Sequence, residues 1–266
     1  MDIKSMTAAV AATGPNMNEA VKGGGGDYTP PEAGPCRLRF IGYVEVGKHE
    51  NNIPGKPPKT ENQVWLTFEL SGPKHAAKVL DSGEKIPHRV TLRLNHSLNE
   101  KAAFFKLFKR MNYKGAATHM SQLLGEAFRG TVIHTTKGEG ADKVTYANLK
   151  DDAGFTIAPP RYDDPETGET RELVVDAAIS PLRLFVWNAE PTMLKAMWDC
   201  IFIDGTAGEG DKVRSLNVFQ DKIKSAVNFA GSPIAMLLAG NGQTLDLPET
   251  ATAPAKTDDD PLNSMV

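Results

Sequence analysis

Residues His88 to Asn95, HRVTLRLN, alternate strictly. Val90, Leu92 and Leu94 fall on one side of an extended chain, and Arg89, Thr91 and Arg93 on the other. Alternation at period two marks a half-buried strand. One face therefore belongs to a core, and the other presents two guanidinium groups. Two earlier segments repeat the arrangement. In CRLRFIGYVEV, 36–46, Leu38, Phe40, Val44 and Val46 share one face, and Arg37, Arg39, Ile41, Tyr43 and Glu45 share the other. Gly42 sits between them, where a bend or bulge is expected. In QVWLTFEL, 63–70, Val64, Leu66, Phe68 and Leu70 point inward and Trp65 and Thr67 outward.

After the third strand, Ser97-Leu-Asn-Glu100 has the form of a capping box, in which the serine and glutamate side chains satisfy free amides at a helix start. Phe104, Leu107, Phe108 and Met111 supply the apolar stripe that follows. A second short helix is expected over 118–126. AFRGTVIHTTK, 127–137, and KVTYANLK, 143–150, flank a glycine-rich turn and read as a hairpin. Residues 151–180 look irregular. PLRLFVWN, 181–188, is one more strand. A helix is expected over 191–204, with Pro191 at its start, and another over 216–230.

Three strands, a helix and a closing hairpin form the element order of the five-stranded Greek-key barrel called the OB-fold. The expected class is thus mainly β (α+β), an OB barrel with an inserted helix and a C-terminal strand and helix extension. Residues 1–27 end in four glycines and read as a flexible arm. The barrel spans 28–160, and the extension spans 161–242, packed on the barrel or on a second subunit. Residues 243–266 are polar and acidic and read as a disordered tail. No apolar run approaches the ~18 residues of a membrane span, and the N-terminus lacks the pattern of a secretory signal.

Net charge is −3, which by itself disfavours a nucleic-acid partner. Its distribution changes that. Five carboxylates against one lysine in 243–266 contribute −4, and residues 1–27 contribute −1, leaving the body at +2. Arginine interleaved with aromatics suits a single strand: guanidinium groups neutralise phosphates, and each base stacked on an aromatic is worth about 1–3 kcal/mol. The candidate nucleic-acid-binding residues are Arg37, Arg39, Tyr43, Trp65, Arg89, Arg93 and Tyr146. Lys48, Lys56 and Lys59 join them from the long loop between the first two strands. Trp187 and Trp198 are expected in the core, as are Cys36 and Cys200, two reduced thiols.

Several stretches resemble single-stranded DNA-binding proteins of tailed bacteriophages, roughly over residues 27–240. They are GDYTPPEAGPCRLRFIGYVEVG, LLGEAFRGTVIHTTK with VTYANL, PLRLFVWNAEPTMLKAMWDCIFIDG, and NVFQDKIKSAVNFAGSPIAMLLAG. The resemblance implies cooperative coating of single-stranded replication and recombination intermediates in the host cytoplasm, with homodimers or assemblies on DNA. It also implies a tail that recruits replication or recombination proteins; the tail's carboxylates are further expected to compete with DNA for the basic groove. Asp258, Asp259, Asp260, Met265 and Val266 are the matching tail residues, although the terminal phenylalanine of such tails is absent.

No catalytic signature accompanies these features. The six histidines form no helical pair with a glutamate, and no nucleophile elbow is present. Asp163, Asp164 and Glu166 occupy a proline–glycine turn, where aspartate serves turn chemistry. No metal, cofactor or enzymatic activity is expected. The alternatives are a phage nuclease or nuclease accessory using scattered carboxylates, and a phage assembly protein.

Overall fold

The computed structural model describes residues 29–51, 55, 57–138, 143–208 and 213–240. The chain opens with β1 (Gly34–Asn51) and β2 (Lys59–Ser71), then the ribbon of β3 (Lys78–Val79) and β4 (Lys85–Ile86), then β5 (Arg89–Asn95). Helix α1 (Ala103–Met111) and a 3-10 turn (Met120–Leu123) lead to β6 (Ala127–Lys137) and β7 (Val144–Asn148). Two short hairpins follow, β8 (Lys150–Asp151) with β9 (Gly154–Phe155) and β10 (Arg161–Asp163) with β11 (Thr170–Glu172). The last part holds β12 (Arg183–Phe185), α2 (Pro191–Cys200), the pair β13 (Thr206–Ala207) and β14 (Arg214–Ser215), α3 (Val218–Lys224) and α4 (Pro233–Leu238).

The protein is mainly β, built on one large antiparallel sheet ordered β5-β2-β1-β6-β7, to which β12 adds in parallel beside β1. Among the described residues β5 and β7 approach within 8 Å between Cα atoms but share no ladder, so the sheet is not closed into a barrel by hydrogen bonds. No helix among the described residues is long and apolar enough to cross a membrane.

Two cores lie on opposite sides of the sheet. One gathers Leu38, Phe40, Leu66, Phe68 and Phe128 with Leu107 and Met111 of α1. The other gathers Val44, Val46 and Trp65 with Phe185, Leu194, Trp198, Phe219 and Ile223 of the C-terminal elements. Helices α2, α3 and α4 and strand β12 thus pack on their own chain's β1 and β2.

A bulge in β1 explains why both cores draw on that strand. The pairing of β1 with β2 shifts between Phe40 and Gly42, and Gly42 lies opposite Thr67. A Cβ on Gly42 would stand 3.0 Å from the Thr67 Cβ, so the bend needs glycine. One extra residue flips the side chains that follow to the other face, up to a second shift between Glu45 and Gly47. Val44 and Val46 therefore leave the face of Leu38 and Phe40, and Tyr43 joins it, contrary to the uniform alternation expected from sequence.

Other expectations shift for local reasons. The capping box at Ser97 does not form. Ser97 Oγ accepts the Asn99 N–H (3.3 Å) and Asn99 Oδ1 accepts the Lys101 N–H (2.9 Å), so a turn precedes a helix that starts only at Ala103. The short helix near 118–126 is the 3-10 turn, capped by His119 and Gln122. The helix expected over 216–230 ends at Lys224, because Val227 N–H donates to the Lys48 carbonyl (2.9 Å) and Asn228 Oδ1 accepts the Lys48 N–H (2.7 Å). These bonds draw the chain onto the end of β1. The supposedly irregular 151–180 holds two hairpins. Cys36 is buried, and burial pushes its thiol up to about 12. Cys200 is exposed at the end of α2, and its thiol donates to the Leu182 carbonyl (3.3 Å).

Candidate nucleic-acid interface

Strand register brings most of the basic candidates onto one side of the sheet. Arg39 of β1 faces Glu69 of β2, which faces Arg89 of β5. Trp65 faces Arg93 in the same way, and Arg37 faces Arg129 of β6. Arg89 and Arg93 lie four residue rises apart, about 13 Å along the strand. That spacing fits alternate phosphates of an extended strand better than neighbouring ones.

Much of this side is covered. Residues 173–182 cross it as a strap held by the sheet's own charges. Arg39 donates to the carbonyls of Gly125 (2.8 Å), Asp176 (2.8 Å) and Val175. The Glu69 carboxylate, 4% exposed, accepts the N–H groups of Ile179 and Ser180, each at 2.8 Å. Arg39 is therefore a structural residue whose donors are engaged. Trp65 is 7% exposed and packs edge-on against Phe219, which removes it from base stacking. Tyr43 is fully buried, and its hydroxyl donates to Glu45 Oε1 (2.8 Å). Burial and that carboxylate hold the phenol well above its ordinary value. It cannot meet DNA.

The remaining candidates stand at the rim. Lys48 is exposed at the end of β1, and Lys59 is exposed and paired with Glu61 (2.8 Å). Arg37 is half-buried. Tyr146 of β7 is 45% exposed. Lys56 and the tail residues Asp258, Asp259, Asp260, Met265 and Val266 lie outside the described residues.

Beyond the strap the structure assembles a ridge of four cations, two of them unanticipated. Arg89 and Arg93 are exposed on β5. Arg183 of β12 and Lys222 of α3 join them. Burial lowers the affinity of Arg183 for its proton, and the charge of Arg89 lowers it further. Lys222 is lowered by burial and then by Arg93. None of the four makes an ion pair among the described residues. Arg183 instead donates to the carbonyls of Cys200 (3.1 Å) and Phe202 (3.0 Å), past the end of α2. Phe202 is 50% exposed beside it. Arg93 lies flat over Trp65, 4.5 Å from the ring centre. Arg183 could be seen in PLRLFVWN as an outward strand residue, but its nearness to Arg89 comes from pairing with β1. Lys222 carried no signal beyond an ordinary helix face.

Among the described residues no group of three or more His, Cys, Asp or Glu is placed to hold a metal ion. Asp164 is held below the ordinary carboxylate value by the Glu166 and Thr167 N–H groups, as a turn aspartate. Compared with known protein families, curated proteins and solved structures, the chain shows no match.

Proposed function

We propose that the protein binds single-stranded DNA, without catalysis and with little regard to sequence, and coats single-stranded intermediates of phage replication or recombination. The observation that carries this reading is the ridge of Arg89, Arg93, Arg183 and Lys222. Four like charges on one side, two of them disfavoured as cations first by burial and then by a neighbouring arginine, gain from a polyanion that neutralises them. A single strand does so and releases counterions, with a log–log salt slope of about −0.7 per phosphate. Full engagement of four cations corresponds to a slope of about −3.

The architecture supports an OB-type barrel. The sheet order β5-β2-β1-β6-β7, with α1 between the third and fourth long strands, follows that topology. β2 and β5 are then its second and third strands, the face on which OB-folds take oligonucleotides. Lys48 near the end of β1 and Lys59 at the start of β2 add two further cations. With Trp65 buried, the half-exposed rings of Phe202 and Tyr146 are the stacking groups. The acidic tail serves partner recruitment, as the resemblance implies.

Fluorescence anisotropy of a labelled single strand of about 30 nucleotides, without divalent metal and beside the matching duplex, tests the reading. Tight, salt-sensitive binding to the single strand and weak binding to the duplex are expected. No binding to either at low salt removes it in favour of an assembly protein. Metal-dependent loss of the DNA favours a nuclease.

A further inference from the structure

Away from the ridge, two cavities share a wall formed by Tyr113, Lys114 and Glu126. The smaller, about 160 Å³, is lined by Met111, Ala117, Leu123 and Phe128 beside the Tyr113 ring, and by Asn112 on its polar side. Gln122 also lines it. The Gln122 amide oxygen accepts the N–H groups of Thr118 (2.7 Å) and His119 (2.9 Å), while its amide N–H donors have no partner among the described residues. The larger cavity, about 570 Å³, is lined by charge: Arg39, Arg161 and Lys114 against Glu126 and Glu172.

Three cations face two lining carboxylates, and Asp163, outside the lining, pairs with Arg161 at 3.4 Å. Lys114 pairs with Glu126 at 3.3 Å. Arg39 spends its donors on carbonyls, which leave its charge uncancelled. Arg161 has an enclosed Nε without a hydrogen bond, 3.4 Å from Asp163 but out of line. The terminal nitrogens of Arg161 are unbonded among the described residues, and its guanidinium lies 6.0 Å over the Tyr113 ring. By contrast Arg129 closes onto Tyr162 at 4.5 Å. Lys114 Nζ also lies over the Tyr113 ring, 5.6 Å from its centre.

From this we infer that the paired cavities bind one pyrimidine nucleoside monophosphate, base in the small pocket and phosphate against Arg161 and Lys114. A cavity of ~150 Å³ takes one benzene ring, so the small pocket matches a single-ring base in volume. The free Gln122 N–H groups meet a ring carbonyl, the Tyr113 ring packs beside the base, and Arg161 forks onto phosphate oxygens. The unit comes either as a free nucleotide or as one residue of a strand. The inference stands apart from the ridge.

Amide NMR of the full chain titrated with dTMP, dAMP, ribose 5-phosphate and inorganic phosphate tests it. Shifts centred on Tyr113, Lys114 and Phe128 are expected, with dTMP at least about tenfold tighter than the other three. Arg161→Gln should weaken dTMP about tenfold, and Ala117→Leu, which fills the small pocket, should abolish its binding. The ridge variant Arg89→Ala/Arg93→Ala should leave dTMP binding unchanged. Ala117→Leu should also weaken an oligothymidine if the strand is the source, and should leave it untouched if the source is a free nucleotide. Equal binding of dAMP and dTMP, binding of phosphate alone at the same strength, or no shift around Tyr113 overturns the inference.

Discussion

The guanidinium of Arg93 lies 4.5 Å above the centre of the Trp65 ring, so the aromatic that the sequence offered for base stacking is covered by the cation beside it. Phe219 covers it again, with ring centres 5.9 Å apart. The Trp65 indole N–H is buried without a hydrogen bond. Trp65→Phe removes that unsatisfied donor along with some volume, so stability should change little and single-strand affinity by less than about threefold. Trp65→Ala should cost about 3–5 kcal/mol. Urea unfolding and anisotropy check both; a large affinity loss in a folded Trp65→Phe protein would mean that the ring does stack on bases.

Glu69 ties the strap to the sheet through two backbone N–H groups. Glu69→Gln keeps one acceptor and sets an amide donor against the other N–H. A buried donor left unpaired costs about 1–3 kcal/mol. The variant should lose stability in that range, and limited proteolysis should cut within 173–182 faster than in the parent. Unchanged cleavage would mean that the strap is held by other contacts.

How much of this was legible is clearest in the strands. Val90, Leu92 and Leu94 announced β5 because a half-buried strand leaves a two-residue period, and the same held for β2. Gly42 announced a bend in β1 but not its consequence, since only pairing with Thr67 decides that Tyr43 turns inward. The covering of Trp65 was invisible, because Phe219 reaches it from a distant part of the chain by packing that leaves no period. For the same reason Arg183 and Lys222 could not be placed beside Arg89 and Arg93.

Gly47 has φ +87°, and a Cβ there would fall 2.4 Å from the Trp187 ring. Gly47→Ala therefore combines left-handed strain with a clash, together about 2 kcal/mol or more. Its melting temperature should fall by several degrees; an unchanged value would show that Trp187 moves freely.

Three imidazoles are held below their ordinary value of 6.5. Burial is the largest cause for His49, His88 and His96, aided by Lys222, His75 and His119 respectively, while Glu45 opposes it at His96. Each takes up a proton less readily folded than unfolded. Above pH 6.5 both forms are neutral and the full stability is present. As pH falls below 6.5 the unfolded chain binds protons first, and stability declines until the folded values are passed. Thermal melts from pH 7.5 to 5 should show this loss. His49→Gln, which keeps a donor for the Val46 carbonyl (2.9 Å in the parent), should shrink it; an equal slope would place the loss elsewhere.

The ridge itself is tested most directly by Arg89→Ala/Arg93→Ala/Lys222→Ala, which spares Arg183 and its bonds to the end of α2. Single-strand binding of this variant and the parent is measured by anisotropy over a series of salt concentrations. Three lost cations should weaken binding at low salt by more than tenfold and make the log–log salt slope shallower by about 2, with the melting temperature kept or raised. A folded variant with the parent's affinity and slope would show that DNA does not follow the ridge.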